Sequence, residues 1–290
     1  MDISSLSTVA PTRNLVDIDA VEFAAAFARC SIPVSHSLSE HPLYTVDAIA
    51  ELADRLPAKS VRRVQGDLPL NSGYQWVDVG VGPPSETVRD VERSGVRISL
   101  RDIQQDPEYA ELIDECLDPV AELVAEREGG MSRRAGYLFI SCPASTTPMH
   151  FDVEHSFLLQ VKGVKHVSVA AFEDNPDMRH REHDRWMDGE ESDFEAMQRQ
   201  AVTTRIEPGL GVYLPSFVPH WVSTEAGVSI SFSIPFHTPY AERGEAVATV
   251  NKQLRRIHLS PRPLGDSERV DSMKVALFRS LQQVRGKVGD

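Results

Sequence analysis

The sequence predicts a mainly β fold with flanking helices: a barrel-like core, an N-terminal α/β extension and C-terminal helices. Three observations carry this. Residues 227–235 (Gly-Val-Ser-Ile-Ser-Phe-Ser-Ile-Pro) alternate apolar side chains with serine, the period-two pattern of a strand. Two further strand-like runs hold chemistry-bearing residues, Thr147-Pro148-Met149-His150-Phe151-Asp152 and Val218-Pro219-His220-Trp221-Val222. Helix start and stop signals cluster before and after these runs. The organisation read from them is 1–130 as an α/β region that flanks and extends the barrel, 131–238 as the core with a charged insert at 173–203, and 239–290 as a helical pair.

Taken in order, residues 1–14 are rich in Ser and Thr and read as a frayed end. Residues 21–29, with Phe23 and Phe27 four apart, predict a short helix, and Ile32-Pro33-Val34 a strand. Thr45 caps a helix whose apolar stripe is Ile49, Leu52 and Leu56, stopped by Pro57. Residues 61–64 and 97–100 read as strands, and the loop-rich stretch 68–84 between them carries Tyr74 and Trp76. Asp106-Pro107 starts a helix with Tyr109, Leu112, Ile113, Cys116 and Leu117 at helical spacing; Asp118-Pro119 repeats the start signal, and Gly129-Gly130 ends a second helix. Cys116 on the apolar stripe reads as core. In 134–142, Tyr137, Phe139 and Ser141 share one strand face and Leu138 and Ile140 the other.

His150 and Asp152 are two apart, so on a strand their side chains converge on one face, with Glu154 and Ser156 continuing it. Two histidines and one carboxylate from separate strands make the facial triad that holds non-haem Fe(II) and leaves positions open. A hydrogen-bonded surface pair is the competing explanation of a lone His-x-Asp. After the Lys162-Gly163 turn, Lys165 alternates with apolar neighbours; burying its ammonium is costly unless an anion meets it, and an edge-strand lysine reaching solvent is the alternative. The serine stripe Ser229, Ser231 and Ser233 either lines a polar cavity or faces water. The insert, with Arg179 to Asp184 and Asp188 to Asp193, reads as a solvated charge run, so His180 and His183 are not taken as ligands; a polar insert beside a metal site suits a lid, with Trp186 and Phe194 as anchors. Thr238-Pro239 starts a helix to about residue 256, and Asp266-Ser267 another, with Val270, Met273, Leu277, Leu281 and Val284 as its stripe and Gly286 as its end.

The formal charge is −13, from 43 acidic and 30 basic residues, which argues against a nucleic-acid binder. Three scattered cysteines, Cys30, Cys116 and Cys142, form neither a disulfide framework nor a zinc pair. With no signal pattern and no apolar run near the ~18 residues of a membrane span, the expectation is a soluble cytoplasmic protein that engages no membrane.

The run 147–152, then Ser156-Phe157, then Gln160 to Lys165, resembles the JmjC/cupin-like Fe(II)/2-oxoglutarate oxygenases, nearest the small branch of the asparaginyl hydroxylase that inhibits hypoxia-inducible factor. The resemblance covers about 137–236. It implies a double-stranded β-helix (jelly-roll, cupin or JmjC-like) core, with Fe(II) on His150, Asp152 and His220 and O2 at the remaining position. It implies that Thr147 and Lys165 bind the distal carboxylate of 2-oxoglutarate. Tyr137 and Phe139 would line that pocket, although ordinary packing of strand aromatics explains them equally. Where the branch has Asn residues near the 1-carboxylate, this chain has Ser156 and Ser233, which reach less far. The activity implied is hydroxylation of a peptide, protein or small-molecule substrate with release of succinate and CO2. An insert at this position helps hold substrate in the family, and C-terminal helices dimerise its members, which makes a homodimer an expectation here. Two other classes stay open. One is a cupin metalloenzyme without 2-oxoglutarate, whose pattern wants a second His at 152 and a Glu near 156. The other is a non-catalytic JmjC-like binding protein, against which the intact triad speaks.

Overall fold

The structure is a computed structural model that describes residues 14–70, 72, 78–170, 176–189 and 194–288. Its strands are β1 Val16–Asp17, β2 Ile32–His36, β3 Val61–Gln65, β4 Val96–Leu100, β5 Tyr137–Ser141, β6 Thr146–Phe151, β7 His155–Lys162, β8 Lys165–Ala170, β9 Ala201–Ile206, β10 Leu210–Leu214, β11 Pro219–Thr224 and β12 Ser229–Phe236. The helices are α1 Ala20–Ala26, α2 Val46–Arg55, α3 Pro84–Arg89, α4 Val91–Ser94, α5 Pro107–Glu128, α6 Pro176–Met187, α7 Phe194–Gln200, α8 Pro239–Arg256 and α9 Glu268–Val288.

Two antiparallel sheets face each other. The larger has the order β1-β2-β10-β7-β12-β5-β4-β3 and the smaller β6-β11-β8-β9. Neighbours such as β10 and β7 are far apart in sequence, so both sheets are assembled by chain crossings. This is the jelly-roll arrangement expected, with helices on the flanks. The strands of the N-terminal region, β1 to β4, extend the larger sheet at both edges.

Strand alternation decides where each side chain goes. Leu138, Ile140, Phe157, Leu159, Ile230, Phe232 and Ile234 leave the outer face of the large sheet and pack with Phe23, Ile49, Leu52, Leu112, Ile113 and Leu117 from α1, α2 and α5. Their neighbours point inward: Leu158 joins Val167, Val169, Val212, Leu214 and Val222 between the sheets. A third cluster, Met149, Phe151, Trp221 and Met197, lies under α6 and α7, against Trp186 and Phe194.

The caps at Thr45, Asp106 and Thr238 form as read, each accepting a backbone N–H with its side-chain oxygen. Gly129 ends α5 in the left-handed region at φ 82°. Two helix boundaries differ from expectation. Asp118-Pro119 does not start a new helix; α5 runs unbroken for 22 residues with Pro119 inside it. The proline removes one hydrogen bond, but Leu117, Val120 and Val124 continue the buried stripe across it, and that packing holds the helix together. Gly286 does not end α9, which continues to Val288.

The insert is the larger correction. It forms α6 and α7 rather than a solvated run, and Arg179, His180, Glu182, His183 and Asp184 are all buried. Groups far along the chain meet three of them: Arg179 donates to the carbonyls of Ala28 and Ser216, His180 bonds the Tyr240 hydroxyl at 2.6 Å, and Asp184 accepts from Asn251 and Arg255. Strand β9 already begins at Ala201, inside the range assigned to the insert. Residues 1–13, with most of the stretch read as frayed, and Tyr74 and Trp76 lie outside the described residues. Among the described residues no helix is long and apolar enough to cross a membrane.

Candidate active site

Strands β6 and β11 pair so that His150 and His220 stand directly opposite. Their rings lie 4.2 Å apart between centroids. Each imidazole folds back on its own strand: the Nδ1–H of His150 donates to the Pro148 carbonyl at 2.9 Å, and that of His220 to the Val218 carbonyl at 3.0 Å. Those bonds put the proton on Nδ1 in both rings and leave both Nε2 lone pairs aimed at the same space. Asp152 sits one residue past the end of β6, and its carbonyl accepts from the Phe217 N–H at 2.7 Å. Its Oδ2 is 3.5 Å from His220 Nε2 and 3.9 Å from His150 Nε2. The three ligand atoms lie within 4.8 Å of one another. Burial, and then the neighbouring His220, push the His150 imidazole down to about 4, so it is neutral and able to ligate near pH 7. Two imidazoles and one half-exposed carboxylate fit a divalent transition metal of the non-haem Fe(II) kind. The half-exposed Asp152 marks the open side of the site.

The triad lies at one end of a cavity of about 230 Å³ between the two sheets. The residues that the resemblance assigned to metal and cosubstrate line it: Thr147, Lys165, Ser156, Ser233, Tyr137 and Phe139, with His150, Asp152 and His220. The register gives their order along the cavity. His220 pairs with Val169, Val222 with Val167 and Thr224 with Lys165 across β11 and β8, while Val222 also faces Thr147 on β6. At ~3.3 Å per residue, the Lys165 Cα is on the order of 13 Å down the strand from the metal row, with Thr147 between them.

Lys165 does not reach solvent. It is 4% exposed, and its Nζ donates to Ser231 Oγ at 2.5 Å. The serine stripe of β12 therefore faces inward, and the alternative of a solvated face does not apply. Burial, and then the charge of Arg97, push the Lys165 ammonium down to about 7.

Further residues line the cavity, and the sequence had given no site role to Arg97 or Arg101. Arg97 on β4 and Arg101 just past its end line the cavity. Arg97 donates from Nη1 to the Thr147 hydroxyl. The Arg101 guanidinium lies 4.7 Å over the Tyr137 ring. Glu154 borders Asp152, and burial, with the Asp152 charge, raises its carboxyl to about 7. Trp186 of α6 completes the lining, 5.7 Å from the Phe151 ring. The signal for Arg97 was present: Arg97, Ser99 and Arg101 share one parity and Ile98 and Leu100 the other. What the sequence does not say is which face turns inward.

The cupin-like domain profile matches residues 80–242, more than half of the chain. The chain belongs to the cupin-like domain family. No curated protein sequence matches this cupin-like protein. Among solved structures it is similar to the Escherichia coli ribosomal oxygenase YcfD: at 14% identity and a TM-score of 0.49 over 92% of this chain and 68% of that one, and at 13% identity and a TM-score of 0.47 over 93% and 68% for YcfD with cobalt and 2-oxoglutarate. The cupin-like protein thus spans about two thirds of the length of those chains.

Proposed function

We propose that this cupin-like protein is an Fe(II)- and 2-oxoglutarate-dependent oxygenase that hydroxylates an unactivated carbon of a peptide or protein side chain. The observation that carries the reading is a single cavity with a His-Asp-His triad at one end and a buried lysine at the other. His150, Asp152 and His220 would hold the metal. Lys165 and Thr147 would fix the far carboxylate of the cosubstrate, and Ser156 and Ser233 would hydrogen-bond its keto-acid end. The bound metal would supply the redox chemistry, in which O2 and 2-oxoglutarate are consumed, succinate and CO2 leave, and one oxygen atom enters a substrate C–H bond.

The protein's own part is aim and exclusion of water. Phe151 and Trp186 wall the metal end, and Phe139 and Leu158 the middle. Arg101, Tyr137 and Glu154 stand at the metal end, where a substrate side chain would enter. The narrower placement, in the asparaginyl-hydroxylase-like branch, rests on the offsets of Thr147 and Lys165 from His150. A homodimer through the C-terminal helices belongs to the same proposal; the exposed Met273, Leu277 and Leu281 on α9 support it.

The test is succinate release by the purified protein with Fe(II), 2-oxoglutarate and air, with and without a peptide library. Turnover that Asp152→Ala abolishes is expected. Metal binding without any succinate, with or without peptides, would turn the reading to a cupin metalloenzyme of another kind.

A further inference from the structure

Arg179 of α6 is a buried cation without an anion beside it. It is 4% exposed, and its Nη1 donates to the carbonyls of Ala28 at 2.9 Å and Ser216 at 3.3 Å. Its Nε–H is buried and has no hydrogen-bond partner. Among the described residues no carboxylate forms an ion pair with it. The charge of Glu128 acts on it from farther off. That carboxylate is engaged elsewhere: its Oε2 accepts the Thr238 hydroxyl at 2.5 Å and lies 3.2 Å from His155 Nε2. Two carbonyl dipoles orient a guanidinium but do not neutralise it, so the buried charge costs the fold. Its neighbour feels it: burial, and then the charge of Arg179, push the His180 imidazole down to about 3.

A second unpartnered group stands beside it. Ser216 is fully buried, and its hydroxyl has no hydrogen-bond partner. Because Arg179 touches the Ser216 carbonyl, the spare N–H and the spare hydroxyl belong to one small region between α6 and the turn that follows β10. Both groups can donate. A water there would satisfy donors and leave the charge, whereas an anion meets both needs through charge-assisted hydrogen bonds. Two spare donors are few for an oxyanion, and a monatomic anion needs no more.

The place bears on the metal centre. Ala28 holds φ at 60°, and Phe217, next after Ser216, at 58°. A residue other than glycine stays in this region only where its surroundings hold it. Arg179 grips both turns by their carbonyls, and the Phe217 N–H in turn fixes Asp152. We propose that Arg179 and Ser216 bind one buried chloride ion, which neutralises the guanidinium and braces the turn on which Asp152 rests. Neither residue lines the cavity between the sheets, so the ion site stands whether or not that cavity serves an oxygenase.

The experiment compares sodium chloride with sodium gluconate at equal ionic strength, so that screening is the same in both. In wild type the melting temperature and the Mn(II) affinity should rise saturably with chloride, as with any ligand that binds only the folded state. Ser216→Ala removes one donor and keeps the charge, so about tenfold more chloride should be needed for half of the effect. Arg179→Gln should abolish the chloride response. Crystals grown with bromide in place of chloride should show one anomalous peak beside Arg179 Nε and Ser216 Oγ. Should Arg179→Gln fail to fold, Ser216→Ala and the bromide crystal decide. Equal melting temperatures in the two salts, a chloride response that neither variant changes, or a bromide crystal with only water at that place each overturn the proposal. Chloride-dependent stability at constant Mn(II) affinity would keep the ion and overturn its link to Asp152.

Discussion

Asp152 is fixed by a backbone bond from Phe217 and aimed at two imidazoles whose tautomers are set by their own strands. Asp152→Ala removes the anionic ligand and leaves that frame intact. Mn(II) affinity should fall strongly, with an unchanged far-ultraviolet circular dichroism spectrum; calorimetric titration reads it, and an unchanged affinity would refute the triad. At the other end, Lys165 is pushed down to about 7 from 10.5, with Arg97 on β4 as the charged group facing it. A lysine depressed in the folded state binds fewer protons there than in the unfolded chain between these two values, so on its own it makes stability rise with pH across that window. For the ligand the sign is opposite. A carboxylate needs the charged form, so binding should take up a proton, and 2-oxoglutarate affinity should fall as pH rises above about 7, by up to about tenfold per unit. Calorimetry in two buffers of different ionisation enthalpy measures the uptake; an affinity flat from about pH 7 to 9 would contradict it. At this scale the sequence was legible wherever a residue type was costly in its place. His150, Asp152, His220 and Lys165 are such residues, whereas Arg97 and Arg101 are not, because arginine is ordinary on a strand until one knows that the strand faces a cavity.

Among the elements, α6 and α8 both pack on one side chain that leads to the metal centre. Phe217 is fully buried, holds φ at 58°, and donates its N–H to the Asp152 carbonyl. Its ring lies 4.6 Å from His180 and 5.0 Å from His183 of α6. Gly244 of α8 leaves it room, since a Cβ there would come 2.5 Å from Phe217 Cζ. Gly244→Ala should therefore overpack. The expected cost is about 1–3 kcal/mol, partly offset by the roughly 1 kcal/mol that alanine gains over glycine in a helix. Both the melting temperature and the Mn(II) affinity should fall, because Phe217 cannot shift without disturbing Asp152. A lower melting temperature at full Mn(II) affinity would show the two to be uncoupled. This link was hidden in the sequence. The charges of α6 are paired with groups far along the chain, Asp184 with Asn251 and Arg255, and Arg179 with the carbonyls of Ala28 and Ser216, so a run that composition marks as solvated is buried.

Across the whole molecule, local signals located most strands and helices, while the sheet order came from contacts that no local pattern records. β2 lies beside β10 and β4 beside β5, each pairing joining segments that the sequence keeps apart. The C-terminal stripe shows the same limit. The helix α9 forms, yet Met273, Leu277 and Leu281 are 72%, 47% and 48% exposed, while Asp271 and Lys274 are the buried ones among its described side chains. The side chain of Val284 lies outside those described. Asp271 accepts from Arg243 of α8, and Lys274 donates to the Arg262 carbonyl, so polar contacts dock α9 and leave its apolar side to solvent. If a second copy covers that side, Leu277→Arg should convert a dimer to monomer. Light scattering of wild type and variant decides it, and a monomeric wild type ends the idea.

The central claim is that one cavity joins a metal triad to an anion-binding lysine. It is tested most directly by 2-oxoglutarate binding to the Mn(II)-loaded protein under argon, wild type against Lys165→Met. Methionine keeps the bulk of the stem and removes the charge. Breaking a buried charge pair costs about 3–5 kcal/mol, so affinity should weaken by roughly two to three orders of magnitude while Mn(II) binds as before. Equal 2-oxoglutarate affinity in the two proteins would contradict the account.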